Sequence, residues 1–155
     1  MSAVTPRIRV QEASFDLAAE TALLSEGRVD VGGIASFVGV CRGDDGLAAL
    51  VLEHYPGMTE RALETIARQA CSRWPLTGCT VIHRVGRILP GAGIVLVLAA
   101  SAHRQAALEA CAFLIDWLKT GAPFWKREEF ASGDSRWVEA KATDDEAAAR
   151  WLSQP

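Results

Sequence analysis

Three short stretches of this sequence have the residue types and spacing to do chemistry, and all three are cationic. Ser101-Ala102-His103-Arg104 closes an apolar run and opens an amphipathic one. A strand turning into a helix there leaves backbone N–H groups pointing outward, where the helix dipole favours an anion. His103 and Arg104 would oppose that dipole, so they suit a bound phosphate. The alternative is a capping histidine beside a surface arginine. The second stretch, Lys119-Thr120-Gly121-Ala122-Pro123-Phe124-Trp125-Lys126-Arg127-Glu128, puts three cations around a rigid aromatic pair. A helix C-terminus favours a charged Lys119; the neighbouring cations disfavour it, and the sequence leaves that balance open. The plain alternative is a helix end followed by a solvated strand. The third candidate is Arg42, just after Phe37-Val38-Gly39, where glycine allows close backbone approach. A simple turn arginine is its ordinary reading.

Other chemistries find little support. His54 and His83 are spaced too irregularly to form a metal site with His103 and read as packing or hydrogen-bonding residues. The four cysteines, Cys41, Cys71, Cys79 and Cys111, form no CxxC pair, so free thiols are expected and no metal. No Walker loop, GxGxxG or Ser-His-Asp signature is present. Cys41 beside Arg42 is the one candidate nucleophile for an acyl- or phosphate-transfer enzyme.

The elements that must hold these residues follow from periodicity and punctuation. A short strand is expected at residues 8–10, then a helix capped by Asp16 running to about Glu26 and closed by Gly27. Residues 34–40 and 47–55 read as two strands joined across the Gly43-Asp44-Asp45-Gly46 turn into a hairpin. Ala62, Leu63, Ile66, Ala67, Ala70 and Trp74 recur at helical spacing, predicting a helix that starts at Thr59 and is ended by Pro75 and Gly78. Strands follow at 79–85 and 93–100 around a Pro90-Gly91 turn. Ser101 should then cap a helix over 102–119, with Ala107, Ala110, Cys111, Leu114, Ile115 and Leu118 facing inward. Residues 124–130 alternate, with Phe124, Lys126, Glu128 and Phe130 on one side and Trp125, Arg127 and Glu129 on the other. A strand over 136–140 completes a hairpin, and Thr143 with Glu146 forms a capping box for a last helix. Hairpins with two solid helices indicate an α+β fold rather than a doubly wound sheet.

At 155 residues, half of them apolar and 23% charged, the chain suits one globular domain spanning residues 1–155. A net charge of -3 argues against coating nucleic acid or acidic membranes. The first residues lack the apolar core of a signal peptide, and the longest apolar run is too short to span a bilayer. A cytoplasmic protein is expected.

Several segments together resemble the large, catalytic subunit of molybdopterin synthase. They are Leu52-Glu53-His54-Tyr55-Pro56-Gly57-Met58-Thr59, Val81-Ile82-His83-Arg84-Val85-Gly86, Ser101-Ala102-His103-Arg104, Leu118-Lys119-Thr120, Pro123-Phe124-Trp125-Lys126-Arg127-Glu128 and Arg136-Trp137-Val138-Glu139-Ala140. The resemblance spans roughly residues 32–140 in the family's order. It implies an α/β hammerhead-type fold with a small additional antiparallel β subdomain, and a homodimer within a heterotetramer. It also implies a partner, a small ubiquitin-like sulfur carrier with a C-terminal Gly-Gly thiocarboxylate. Two sulfurs would pass to cyclic pyranopterin monophosphate to make the molybdopterin dithiolene, with no cofactor. By motif match Lys119 and Lys126 take the catalytic positions, while Val40, Cys41, Arg42, His103, Arg104, Arg127 and Glu128 fall at substrate-binding ones. Another reading from a different class is a non-catalytic module that binds a ubiquitin-like partner or a phosphorylated metabolite.

Overall fold

The computed structural model describes residues 4–138 and 142–152, the side chains of Ala142 and Thr143 excepted. Two four-stranded sheets organise it. The first has the order β1-β4-β6-β2, from β1 (Arg7–Gln11), β2 (Gly33–Val40), β4 (Leu76–Arg84) and β6 (Gly93–Ser101). Strands β1 and β4 run parallel; the other pairs are antiparallel. The second, of order β5-β3-β7-β8, is antiparallel throughout, from β3 (Leu47–His54), β5 (Gly86–Ile88), β7 (Phe124–Phe130) and β8 (Ser135–Val138). Helices α1 (Leu17–Ser25), α2 (Met58–Arg73), α3 (Arg104–Gly121) and α4 (Ala142–Ala149) complete the chain with a 3-10 turn at Arg150–Leu152. This is the expected α+β architecture with an added antiparallel sheet.

The first sheet is buried on both faces, which explains why residues 94–100 are apolar without alternation. Val81, Val95, Val97 and Ala99 face α2 and α3, meeting Leu63, Ile66, Ala110 and Leu114. Ile82, Leu96 and Leu98 face the other way, against Phe15 and Leu24 beside and on α1. The second sheet has its own small core of Cys41, Leu50, Leu52 and Ile88. Trp151 closes the helical side, donating from Nε1 to Asp116 Oδ2 at 2.7 Å and meeting Trp74 and Phe113 edge-on.

Three expectations are corrected. The strands around the Gly43–Gly46 turn form no hairpin: β2 pairs with β6, and β3 with β7 and β5. Cys41 leaves the first sheet by exchanging backbone hydrogen bonds with the Gly91-Ala92 turn, and the chain then crosses to the second sheet. Turn residues mark a reversal but do not choose the partner, and β6 offers β2 an apolar neighbour over residues 94–100. Ser101 is the last residue of β6, not a helix cap. Its hydroxyl donates to the Pro75 carbonyl at 2.9 Å and accepts from the His103 N–H at 3.5 Å, while His103 takes the N-cap position without a side-chain cap bond. Finally, Pro75 and Gly78 do not delay the fourth strand; it begins at Leu76 with a register irregularity before Gly78. The capping box of Thr143 lies outside the described side chains.

Gly32 lies at the junction where β6 passes into α3. Its N–H donates to the Ser101 carbonyl at 2.9 Å, and an added Cβ would fall on the Ala102 carbonyl oxygen. Backbone cannot yield as a flexible side chain can. Gly32→Ala is therefore expected to lower the unfolding free energy by about 3 kcal/mol. Urea titration should show a lower midpoint at unchanged slope; an unmoved midpoint would contradict the clash.

Candidate active site

The C-terminal turn of α3, the end of β2 and the start of β7 converge on a cavity of about 290 Å³. Three cations line it: Arg42 from the crossing loop, Lys119 from α3 and Lys126 from β7. Most of its remaining lining is aliphatic or aromatic, including Val40, Ile115 and Phe124. An apolar wall with cations along it lowers the local dielectric and strengthens the pull on an anion. The chain as a whole is acidic, so this attraction is built locally.

Each lysine is placed by its element. Lys119 lies in the last turn of α3, whose apolar stripe is pinned by Ala110, Leu114 and Leu118. Lys126 follows from strand alternation along β7, and its neighbours two residues either way share its side. The loop between them is tied back to α2. Thr59 Oγ1 accepts from the Tyr55 N–H at 2.9 Å and donates to the Pro123 carbonyl at 3.2 Å.

A second cavity of about 410 Å³ adjoins the first and shares Val40, Arg42, Ile94 and Lys126 with it. Its further lining includes Cys41, Glu128 and Arg136. Arg136 Nε donates to Glu128 Oε1 at 3.2 Å. The Cys41 thiol is buried, which raises its pKa first of all, and the Glu128 charge raises it further. A thiol held protonated in this way is a poor nucleophile, which counts against the acyl-transfer alternative.

His83, read from the sequence as a packing or hydrogen-bonding residue, does both and also lines the first cavity. It is 8% exposed and stacks on Phe124, ring centroids 3.9 Å apart and 20° from parallel. Its Nδ1 lies 2.9 Å from the Arg84 carbonyl oxygen. Since that oxygen can only accept, Nδ1 carries the proton and Nε2 the lone pair. Burial lowers the His83 pKa to about 4; the Arg84 bond opposes this, and the charges of Lys126, Lys119 and His54 add to it. No periodicity rule marks it, because an inward-facing strand histidine looks the same in a core and in a site.

The depressed pKa has a consequence for stability. Above about pH 6.5 His83 is neutral in both the folded and the unfolded chain. Between pH 6.5 and about 4 the unfolded chain takes up a proton that the folded chain refuses. Stability is thus lost as pH falls through that window, by about 3 kcal/mol in total. Unfolding free energies of wild type and His83→Gln should diverge with pH there, wild type showing the steeper fall. Parallel curves would show that His83 is not neutralised by burial.

Residues 10–121 match the family described as MoaE protein. The chain is 59% identical to the molybdopterin synthase catalytic subunit of Mesorhizobium japonicum, over 99% of this chain and 98% of that one. It belongs to the MoaE family. The Escherichia coli K12 molybdopterin synthase catalytic subunit is 49% identical over 94% of this chain and 97% of its own. Among solved structures, the molybdopterin biosynthesis MoaE protein of Burkholderia ambifaria superposes with a TM-score of 0.82 at 49% identity, covering 96% of this chain and 99% of that one. The fold extends to the complex of subunits 1 and 2 of molybdopterin-converting factor from Helicobacter pylori, at a TM-score of 0.68 and 21% identity, covering 87% and 90%.

In this MoaE chain the expected site residues divide into three groups. Val40, Arg42, Lys119 and Lys126 meet at the first cavity, and Cys41 and Glu128 join Val40, Arg42 and Lys126 at the second. Arg127 lies across β7 from Lys126, as alternation requires. It ion-pairs with Glu129 at 3.5 Å, which in turn meets Arg87 at 3.2 Å. His103 and Arg104 are exposed at the other end of α3 and line neither cavity. The aromatic pair divides too: Phe124 lines the cavity, while Trp125 is exposed and packs on Tyr55 at 5.9 Å.

Proposed function

We propose that the cationic cavity performs the sulfur transfer of molybdopterin synthase, with this chain as the catalytic subunit. The observation that carries the reading is the convergence of Lys119, Lys126 and Arg42 on one partly apolar cavity, in a chain whose family relatives bear that name. A catalytic subunit implies another subunit. The proposed partner is a small ubiquitin-like sulfur carrier, and the proposed acceptor is cyclic pyranopterin monophosphate. Each transfer breaks the carrier's carbon–sulfur bond and replaces a carbon–oxygen bond of the pterin with a carbon–sulfur one; the displaced oxygen balances the one the carrier gains as it returns as its carboxylate.

Both reactants are anions. The thiocarboxylate tail, extended and without side chains at its two glycines, fits a narrow entrance where backbone hydrogen bonds guide it. Lys126 holds the sulfur anion between the two cavities. Lys119 stabilises charge that develops as the new bond forms, or moves a proton there. The phosphate needs a further cationic cradle, for which the N-terminus of α3 with His103 and Arg104 is suited. That cradle would come from a second copy of the chain, in a homodimer flanked by two carriers. A cytoplasmic location belongs to the same reading.

The test is direct. Pure protein mixed with thiocarboxylated carrier and the cyclic pterin should give a product heavier by two sulfurs in place of two oxygens, detected by mass. A stable complex with carrier but no sulfur in the pterin would instead support a binding module.

A further inference from the structure

Among the described residues lining the first cavity, every side chain except His83 is apolar or cationic at neutral pH. His83 alone offers a neutral lone pair. Its orientation is fixed twice, by the Nδ1 bond to the Arg84 carbonyl and by the flat stack on Phe124. Phe124 and Lys126 lie two residues apart on one side of β7, about 7 Å along the strand, so the imidazole, which comes from β4 and lies over Phe124, sits beside the position from which Lys126 enters the same cavity. Of the charges acting on His83, that of Lys126 has the largest effect.

We propose that His83 is a positioning residue for the sulfur-transfer reaction, its Nε2 accepting from the Lys126 ammonium and aiming that charge at the incoming sulfur. A long lysine stem has several rotamers, and three cations sharing one cavity repel one another. A fixed neutral acceptor at the cavity wall selects one rotamer and offsets part of that repulsion without adding charge. With its rotamer chosen in this way, the ammonium is held where its charge can meet the anion. A charged histidine would do the opposite, adding a fourth cation and losing the acceptor. Burial keeps the ring neutral, in line with its low pKa.

The inference rests on the proposed sulfur-transfer reading, and the experiment separates the two. His83→Asn keeps a donor near the position of Nδ1 and removes the acceptor. His83→Gln places an amide oxygen near Nε2. Single-turnover transfer by His83→Asn should fall about tenfold with carrier affinity unchanged, and His83→Gln should stay within about threefold of wild type. In a Lys126→Ala background the Asn substitution should cost nothing more, because its effect runs through that lysine. An equal loss in both backgrounds, or equal losses from Asn and Gln, would overturn the role. Nitrogen NMR of ring-labelled protein gives a second reading that needs no turnover. The unprotonated Nε2 of His83 should shift when Lys126 becomes alanine, and an unmoved signal also overturns the proposal. Wild type that binds carrier but moves no sulfur would defeat the functional reading, while the NMR result would still decide the His83–Lys126 contact.

Discussion

Lys119→Ala should cut single-turnover sulfur transfer by about a hundredfold while leaving the protein folded and able to bind its carrier. The side chain is exposed at the cavity wall, in the last turn of α3. Truncating an exposed residue there removes little packing, so stability should change by no more than about 0.5 kcal/mol. The chemical loss has a different scale. Removing a group that stabilises developing charge in an active site typically costs about 10²–10³ in rate, and losing a general acid or base costs about 10²–10⁴. Lys119→Arg then separates the two roles. Arginine keeps the charge but cannot yield a proton near neutrality, so substantial rescue indicates charge stabilisation and none indicates proton transfer. A Lys119→Ala rate within about tenfold of wild type, a barrier change near 1.4 kcal/mol, would remove Lys119 from the chemistry.

Much of this arrangement was legible in the sequence, for reasons that can be assigned. The stripe on α3 and the alternation on β7 are periodic signals that fix the elements carrying Lys119 and Lys126; the pairing of the two lysines in one site came from the resemblance to the family. The same alternation assigned Arg127 to the far side of β7, where it pairs with Glu129. Long-range pairing was not legible. Gly43-Asp44-Asp45-Gly46 has the composition of a hairpin turn, with Asp45 and Gly46 both at positive φ. Yet it carries the chain from one sheet to another, because strand partners are chosen by distant apolar surface. Short β5, only three residues, was missed because its length gives no period to read. Ser101 shows how tertiary pairing overrides a local signal: its hydroxyl is a good cap in isolation, but pairing with β2 and β4 keeps Ser101 in β6 and moves the helix start to His103. His83 and Thr59 were invisible as site residues because each acts through a partner remote in sequence, Phe124 and Pro123 respectively.

Mixing Arg104→Ala chains with Lys119→Ala chains should restore activity that neither has alone. The two residues occupy opposite ends of α3, fifteen positions apart, a span of about 22 Å. Strand β2 gives an independent ruler. A Cβ at Gly33 would come within 3.5 Å of the Arg104 Cα, while Val40 at the other end of β2 lines the lysine cavity. Seven strand steps span about 23 Å. One small phosphorylated pterin cannot bridge that distance, so within a single chain the phosphate cradle and the lysine cavity are separate. A two-fold dimer solves this if the interface brings the α3 N-terminus of one protomer to the cavity of the other, twice over by symmetry. Random re-pairing of equal amounts makes half the dimers mixed. Each mixed dimer then has one site with both residues intact and one lacking both. About a quarter of wild-type activity should therefore return. If both residues serve one site in one chain, every site keeps a lesion and nothing returns. An Arg104→Ala protein that is fully active by itself would rule out the arginine cradle altogether.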